Sequence, residues 1–326
     1  MKKVRWGIAG PGRIAHKFAD ALKNIECAEL VAVASRFEDE ARDFADKYGI
    51  DNVFVGYDDM ASFDGVDAVY VSTPPHVHKD VALIYLNAKK HVLCEKSICV
   101  NAFQAMQLKE CAEKNDVFLM EAMWMKFLPV IRNVKSIVES GTIGKIENIT
   151  ADLGWFLGDR EGHRVFMNEF AGGVLLDIGV YGFHFINLIM NELPESIKSA
   201  AKIENDVDVQ TGILMKFSSG AIANVFCTFE ADKPRSAYIY GNKGNIYIPN
   251  FLGGSEFIVT VDGEEKRFDF PSIGEGFEEE ILEANTCIIN GKTRSDIHPV
   301  TSSIEILNQM DIVREQIGVK YPLEGE

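Results

Sequence analysis

The chain has 326 residues, 47% of them hydrophobic and 25% charged, proportions that exclude a disordered or fibrous protein. One core rarely grows past roughly 250 to 300 residues, so two domains are expected. Lysine and arginine total 33 against 49 acids, and the net charge of −16 opposes nucleic acid and anionic membrane surfaces as partners.

The first third alternates β-branched runs with amphipathic ones: 4–9 then 14–22, 30–34 then 38–48, 68–72 then 78–87, and 91–94 then 102–114. That rhythm predicts a parallel sheet. The apolar runs are too continuous for strands with one wet face, so helices are expected on both faces in a doubly wound α/β arrangement. Beyond residue 120 the pattern changes. Helical runs at 127–140 and 174–190 bracket a strand at 146–156. Seven further strands between 197 and 270 are broken by turns such as Ser219-Gly220 and Asp262-Gly263, which predicts a mainly antiparallel sheet. Helices at 276–290 and 301–316 close the chain. The expected domains are 1–121 for dinucleotide binding and 122–326 for substrate binding and oligomer formation. Few helices remain to cover both faces of the second sheet, so Phe226, Phe229, Tyr238 and Tyr240 are expected on a face that a second subunit covers, giving a homodimer or a dimer of dimers.

Met1-Lys2-Lys3-Val4-Arg5-Trp6 lacks an apolar signal-peptide core, and the most apolar stretch, 174–190, carries Asp177 and His184. A cytoplasmic protein is expected. Cys27, Cys94, Cys99, Cys111, Cys227 and Cys287 show no paired spacing and read as reduced thiols. His76 and His78 form a His-x-His at a helix start without a matching acidic cluster, so no metal is expected.

Gly7-Ile8-Ala9-Gly10-Pro11-Gly12-Arg13-Ile14-Ala15 follows the first strand and opens the first helix, the setting a dinucleotide fingerprint requires. Gly10 suits a tight turn, Gly12 admits a pyrophosphate, and the helix amides at Arg13 and Ile14 face the anion. The second strand ends in Ala34-Ser35-Arg36, where an NAD enzyme more often places an acid. A hydroxyl and a guanidinium suit a 2′-phosphate, so NADP(H) is expected in preference to NAD(H). At the ends of the next two strong strands lie Ser72-Thr73-Pro74-Pro75-His76-Val77-His78 and Cys94-Glu95-Lys96-Ser97, where open α/β sheets bind ligands; Thr73, Pro74, His78, Glu95 and Lys96 are the candidate cofactor contacts. Asp177 and Tyr181, four apart on an expected helix, share a face.

These segments, with EAMWMKF at 121–127 and GGVLLDIGVY at 172–181, resemble the family of glucose-fructose oxidoreductase, inositol dehydrogenase and rhizopine-catabolism proteins, the Gfo/Idh/MocA family, over nearly the whole chain. The resemblance implies an N-terminal Rossmann domain and a C-terminal α/β domain with an open, mainly antiparallel sheet. It also implies that Lys96, the lysine of a Glu-Lys-Pro motif in which Ser97 replaces the proline, lies beside the nicotinamide. Tyr181, where many members carry histidine, looks like the branch of dihydrodiol dehydrogenases and NADP-dependent xylose dehydrogenases, which implies a cyclic polyol, sugar or dihydrodiol as substrate. Tyr181 suits an acid/base, Lys96 its electrostatic partner, and Asp177 an orienting group. Trp124, Phe156 and Phe277 are candidates for an apolar wall over the substrate. Two rival readings are a catalytically silent NADP-binding sensor and an imine- or bilin-type reductase on the same scaffold.

Overall fold

The computed structural model describes residues 3–158, 160–322 and 324. It divides into two units, Met1–Trp124 with Ile273–Glu305, and Met125–Ser272 with Ile306–Glu326.

The first unit opens with strand β1 (Val4–Ala9), helix α1 (Arg13–Leu22), β2 (Ala28–Ser35), α2 (Glu38–Tyr48), β3 (Asn52–Val55) and the single turn α3 (Asp58–Ala61). It continues with β4 (Ala68–Val71), α4 (His78–Asn87), β5 (His91–Glu95), α5 (Ala102–Asn115) and β6 (Leu119–Ala122). Among the described residues the six strands form one parallel sheet in the order β3-β2-β1-β4-β5-β6, the doubly wound arrangement the alternation predicts. Its central strands are dry on both faces: Trp6, Ile8, Ala32, Val33, Val69, Tyr70, Val92 and Leu93 are fully buried. Helix α1 buries Ala15, Phe18, Ala19 and Leu22, the three-and-four spacing of an amphipathic helix. Gly49, with φ 69°, closes α2 in the left-handed conformation expected of a helix-ending glycine.

The second unit begins with α6 (Pro129–Glu139), β7 (Ile146–Gly154) and α7 (Val180–Met190). Then come β8 (Ser196–Glu204), β9 (Val207–Lys216), β10 (Ile222–Thr228), β11 (Ala237–Gly241), β12 (Gly244–Ile248), β13 (Glu256–Val261) and β14 (Glu264–Asp269). They form an eight-stranded sheet in the order β14-β13-β12-β11-β7-β10-β9-β8, antiparallel except for the parallel pair β7 and β10. The strands alternate. Ile149, Ala151, Ala223, Val225, Ile239 and Ile246 are buried on one face. On the other, register pairs Asn224 with Leu214 and Thr150, and Tyr238 with Thr150 and Tyr247, and these residues are more open to solvent. Phe226, Tyr238 and Tyr240 lie on this second face as expected. Phe229 does not: it is buried and packs edge-on against Phe166, because its odd spacing from Phe226 puts it on the face of Ala223, Val225 and Cys227.

Helices α8 (Phe277–Ile289) and α9 (Val300–Ile317) end the chain. The chain leaves the first unit after Trp124 and Ile273–Glu305 returns to it, whereas the expected division is a single break after residue 121. Helix α8 packs on β1 and α1, and the buried Trp6 indole donates to the Asn285 side-chain oxygen at 2.9 Å. The stretch expected as one helix at 174–190 is two: a π-helical turn, Leu175–Gly179, precedes α7. The apolar run Asn168–Met190 is long enough to cross a membrane, but 78% of its most apolar window is buried inside the protein, so it reads as core.

Candidate active site

The turn from β1 into α1 has the geometry of an anion cradle. Gly10 adopts φ 91°, and a Cβ there would sit 2.8 Å from the Thr73 methyl, so glycine is required by both conformation and space. Gly12 is different: a Cβ there would meet nothing within 4 Å, so no protein atom occupies the space beside it and a ligand has room to approach. Gly12, the N-cap of α1, has no side chain to cap the first turn, so the amides there can face an anion. Arg13 is exposed and Ile14 half-buried beside them. The Ser72 hydroxyl donates to the Gly10 carbonyl at 2.8 Å and ties the turn to the end of β4, where the Thr73 hydroxyl is buried without a hydrogen-bond partner among the described residues. These features fit a dinucleotide's pyrophosphate.

At the end of β2 the Ser35 hydroxyl is already engaged. It donates to Glu40 at 2.9 Å and accepts from the Phe37 amide at 3.2 Å. Arg36 is exposed and lies 5.7 Å from the centre of the Phe37 ring. An open depression of about 380 Å³ runs from Pro11 and Gly12 to Glu40, Asp43, Phe44 and Lys47, with His16 on its wall.

The loop that carries Lys96 is held from three sides. Glu95, at the end of β5, accepts from the Lys96 amide at 3.1 Å and from the Tyr70 hydroxyl. Glu121, in β6, accepts from the Ile98 amide at 3.0 Å, and His78 meets the Ser97 carbonyl at 2.9 Å. The Lys96-Ser97 peptide between them is cis. Lys96 is half-buried. Burial pushes the Glu95 carboxyl up to about 7 against the opposing pull of Tyr70 and Lys96. Burial likewise drives Glu280, in α8, well above the ordinary carboxylate range, and its oxygens have no hydrogen-bond partner among the described residues.

Two expected cofactor contacts have other work. His78 is fully buried with one ring nitrogen on the Thr73 carbonyl and the other on the Ser97 carbonyl, so it braces two loops and leaves no ring atom for a ligand. Glu95 is 6% exposed and accepts from the Lys96 amide. Thr73 is buried against Gly10, and Pro74 after it is half-buried.

In the second unit Asp177 lies on the π-helical turn and Tyr181 in the first turn of α7, 8% exposed. Asp177 pairs with Arg164 at 3.0 Å. Buried Asp208, from β9, accepts from the Leu175 amide at 2.9 Å and from the Thr211 hydroxyl at 2.5 Å, which fixes the start of the turn. Burial pushes its carboxyl up to about 7. A Cβ on Gly173, which has φ 111°, would lie 2.2 Å from the same carboxylate, so only glycine lets Asp208 reach the turn.

Of the aromatic candidates, Trp124 and Phe277 stack in parallel with centroids 5.3 Å apart, Phe277 buried and Trp124 half-buried. Phe156 is 58% exposed in the segment after β7. The sequence did not single out Tyr70, Arg164 for Asp177, or Asp208. Only Asp208 left a signal, a lone acid within the apolar run of β9.

Profiles of two families match the chain: an oxidoreductase family with an NAD-binding Rossmann fold over residues 4–123, and the GFO/IDH/MocA C-terminal domain over residues 131–247. Trans-1,2-dihydrobenzene-1,2-diol dehydrogenase of Xenopus laevis is 34% identical over 98% of this chain and 99% of its own length. That of Mus musculus is 32% identical over 98% of each. A 3-ketoreductase from Actinomadura kijaniata, solved with NADP and TDP-benzene, superposes with a TM-score of 0.87 at 25% identity, over 97% of this chain and 98% of its own. An aldose-aldose oxidoreductase from Caulobacter crescentus shares the fold at a TM-score of 0.89 and 21% identity, over 97% of each chain.

Proposed function

The chain belongs to the Gfo/Idh/MocA oxidoreductase family, and from that premise we propose that it is an NADP(H)-preferring dehydrogenase that oxidises a carbinol of a dihydrodiol, cyclic polyol or sugar, or reduces the corresponding carbonyl. The nicotinamide, when bound, accepts or donates the hydride. The chain's own residues bind, orient and move the proton. Tyr181 exchanges the hydroxyl proton, and Lys96 stabilises the negative charge that develops on the same oxygen and favours tyrosinate. Asp177, held by Arg164, orients substrate hydroxyls. Trp124 and Phe277 offer a flat apolar surface suited to a ring, with Phe156 as a further contact.

The observation that carries this reading is the fixing of Lys96 by its surroundings. Glu95, Glu121 and His78 immobilise the backbone on both sides of one lysine, an ordering that a silent binder of the cofactor would not need. NADP(H) is favoured because Arg36 stands at the ribose end of the site without an acid directly before it. A homodimer or dimer of dimers through the open face of the second sheet, and a cytoplasmic site of action suited to six unpaired cysteines, complete the proposal.

Purified protein incubated with NADP+ and a panel of trans-dihydrodiols, inositols and aldoses should generate reduced-nicotinamide absorbance with at least one of them. Tight cofactor binding with no turnover on any of them, in either direction, would leave the silent sensor as the better reading. Reduction of imines or bilins alone would favour the third.

A further inference from the structure

In a doubly wound dinucleotide fold the adenosine ribose lies at the carboxyl end of the second strand, where an acid accepts from its hydroxyls. This chain has Ser35 and Arg36 there, but a carboxylate reaches the same place from another element. Glu40, in the first turn of α2, is exposed, and its Oε2 lies 2.9 Å from the Ser35 hydroxyl. It also lines the depression that begins at Pro11 and Gly12. Tyr57 lies close enough to feel both neighbours: burial raises its hydroxyl above the ordinary value, while the Arg36 cation pulls it down and the Glu40 anion adds to the rise. Ser35, Arg36, Glu40 and Tyr57 therefore form one cluster at the ribose end of the site.

We propose that Glu40 is a specificity-determining residue that limits the preference for NADP(H), serving as the ribose-hydroxyl acceptor for NAD(H) and opposing the 2′-phosphate of NADP(H). The proposal rests on the dinucleotide-binding reading and deepens it. A 2′-hydroxyl can donate to a free Glu40 oxygen while Ser35 keeps its bond. A 2′-phosphate has no proton to offer a carboxylate near neutrality, so it must take the Ser35 hydroxyl from Glu40 and lie beside a like charge, with Arg36 as the compensating cation. The other titratable groups on the depression are Asp43, Lys47 and His16, the last held toward its neutral form by burial and by Lys47, and Glu38 is paired with Arg42 at 2.6 Å. Glu40 is the carboxylate that touches the residue ending β2.

Glu40→Gln keeps an acceptor for Ser35 and removes only the charge. Titration of the purified full chain with NADPH and NADH, followed by protein fluorescence or calorimetry, should show NADPH binding about tenfold tighter in the variant, the order expected for one partly screened like charge. NADH should bind equally or a few-fold more weakly, so the ratio of the two dissociation constants moves toward NADPH. The gain for NADPH should shrink as salt is raised. Glu40→Ala, which also frees Ser35, should move the ratio the same way. An unchanged ratio in both variants, or an equal change for both cofactors, would overturn the proposal. Failure of the parent reading looks different: wild-type protein that binds neither nucleotide sinks both ideas. An Arg36→Ala variant with unaltered NADPH affinity sinks only the phosphate preference.

Discussion

Arg164 reaches Asp177 with Nη2 to Oδ1 at 3.0 Å, joining a loop of 3₁₀ turns to the π-helical turn just before Tyr181. Both side chains are partly open to solvent, so the pair adds at most about 1 kcal/mol to stability. Its larger effect is to fix where the Asp177 carboxylate points. Arg164→Met and Asp177→Asn should each lower kcat/KM by about tenfold or more with little change in Tm, the signature of lost positioning. The double variant should lose less than the product of the two, because residues acting as one unit are not additive. Independent, multiplicative losses in a kinetic double-mutant cycle would mean that Arg164 does not act through Asp177.

Tyr181→Phe should lower turnover by roughly a hundredfold or more while leaving NADPH affinity near wild type, the usual effect of removing a positioned proton donor. Lys96→Met should lower turnover and also weaken cofactor binding. Oxidation by the wild-type protein should accelerate with pH through an apparent pKa below that of free tyrosine, and Lys96→Met should move that inflection upward. An active Tyr181→Phe protein with an unchanged pH profile would return Tyr181 to the role of a core residue.

The parallel half of the fold was legible because its strands are buried on both faces and its helices carry one apolar stripe; β1, β4 and β5 begin where the apolar runs begin. What escaped depends on partners distant in sequence. Strand β3 is four residues long and only partly buried, too short for its own pattern. The parallel pairing of β7 with β10 joins segments that no turn connects. The return of α8 rests on contacts such as Trp6 with Asn285, 279 residues apart. In the site, residue types marked Lys96, Asp177 and Tyr181, but the side chains that hold them come from other strands and loops. His78 is such a case: its place at a strand end reads as a ligand contact, while both ring nitrogens meet the carbonyls of Thr73 and Ser97, which sequence position alone does not reveal.

Glu95 and Asp208 predict a pH dependence of stability. Folding raises both carboxyls, from ordinary values of 4.5 and 3.8, to about 7. The stabilising contribution of a group whose pKa rises on folding is complete below its unfolded value and is lost as pH climbs through its folded value. The window is therefore from about pH 4 to somewhat above 7, and each group accounts for a loss on the order of 3 kcal/mol across it. Urea midpoints should fall between pH 5 and pH 8. Asp208→Asn, which keeps an acceptor for the Leu175 amide, should flatten that fall. The repulsion arising from the net charge of −16 also grows with pH, but one neutral substitution leaves it nearly intact. A variant profile parallel to that of the wild type would show that Asp208 does not titrate in this range.

The open face of the second sheet predicts assembly. Leu214 is 50% exposed, Ile222 42% and Tyr240 39%, and the register puts them on one face with Phe226 and Tyr238. Tyr238 stacks on Tyr240 and Tyr247 with centroids 5.4 and 4.3 Å apart, so the rings form a stiff apolar strip that loses little side-chain entropy when covered. Polar Asn148, Thr150 and Asn224 share the face, as in an interface rather than a core. Wild-type protein should scatter light as a dimer or larger at micromolar concentration. Tyr240→Glu combined with Leu214→Lys puts two charges in the strip without touching the buried face, so it should yield a monomer with an unchanged circular dichroism spectrum and an unfolding transition that no longer shifts with protein concentration. A wild-type mass that is already monomeric would end the proposal. A double variant that stays dimeric would move the contact to another surface.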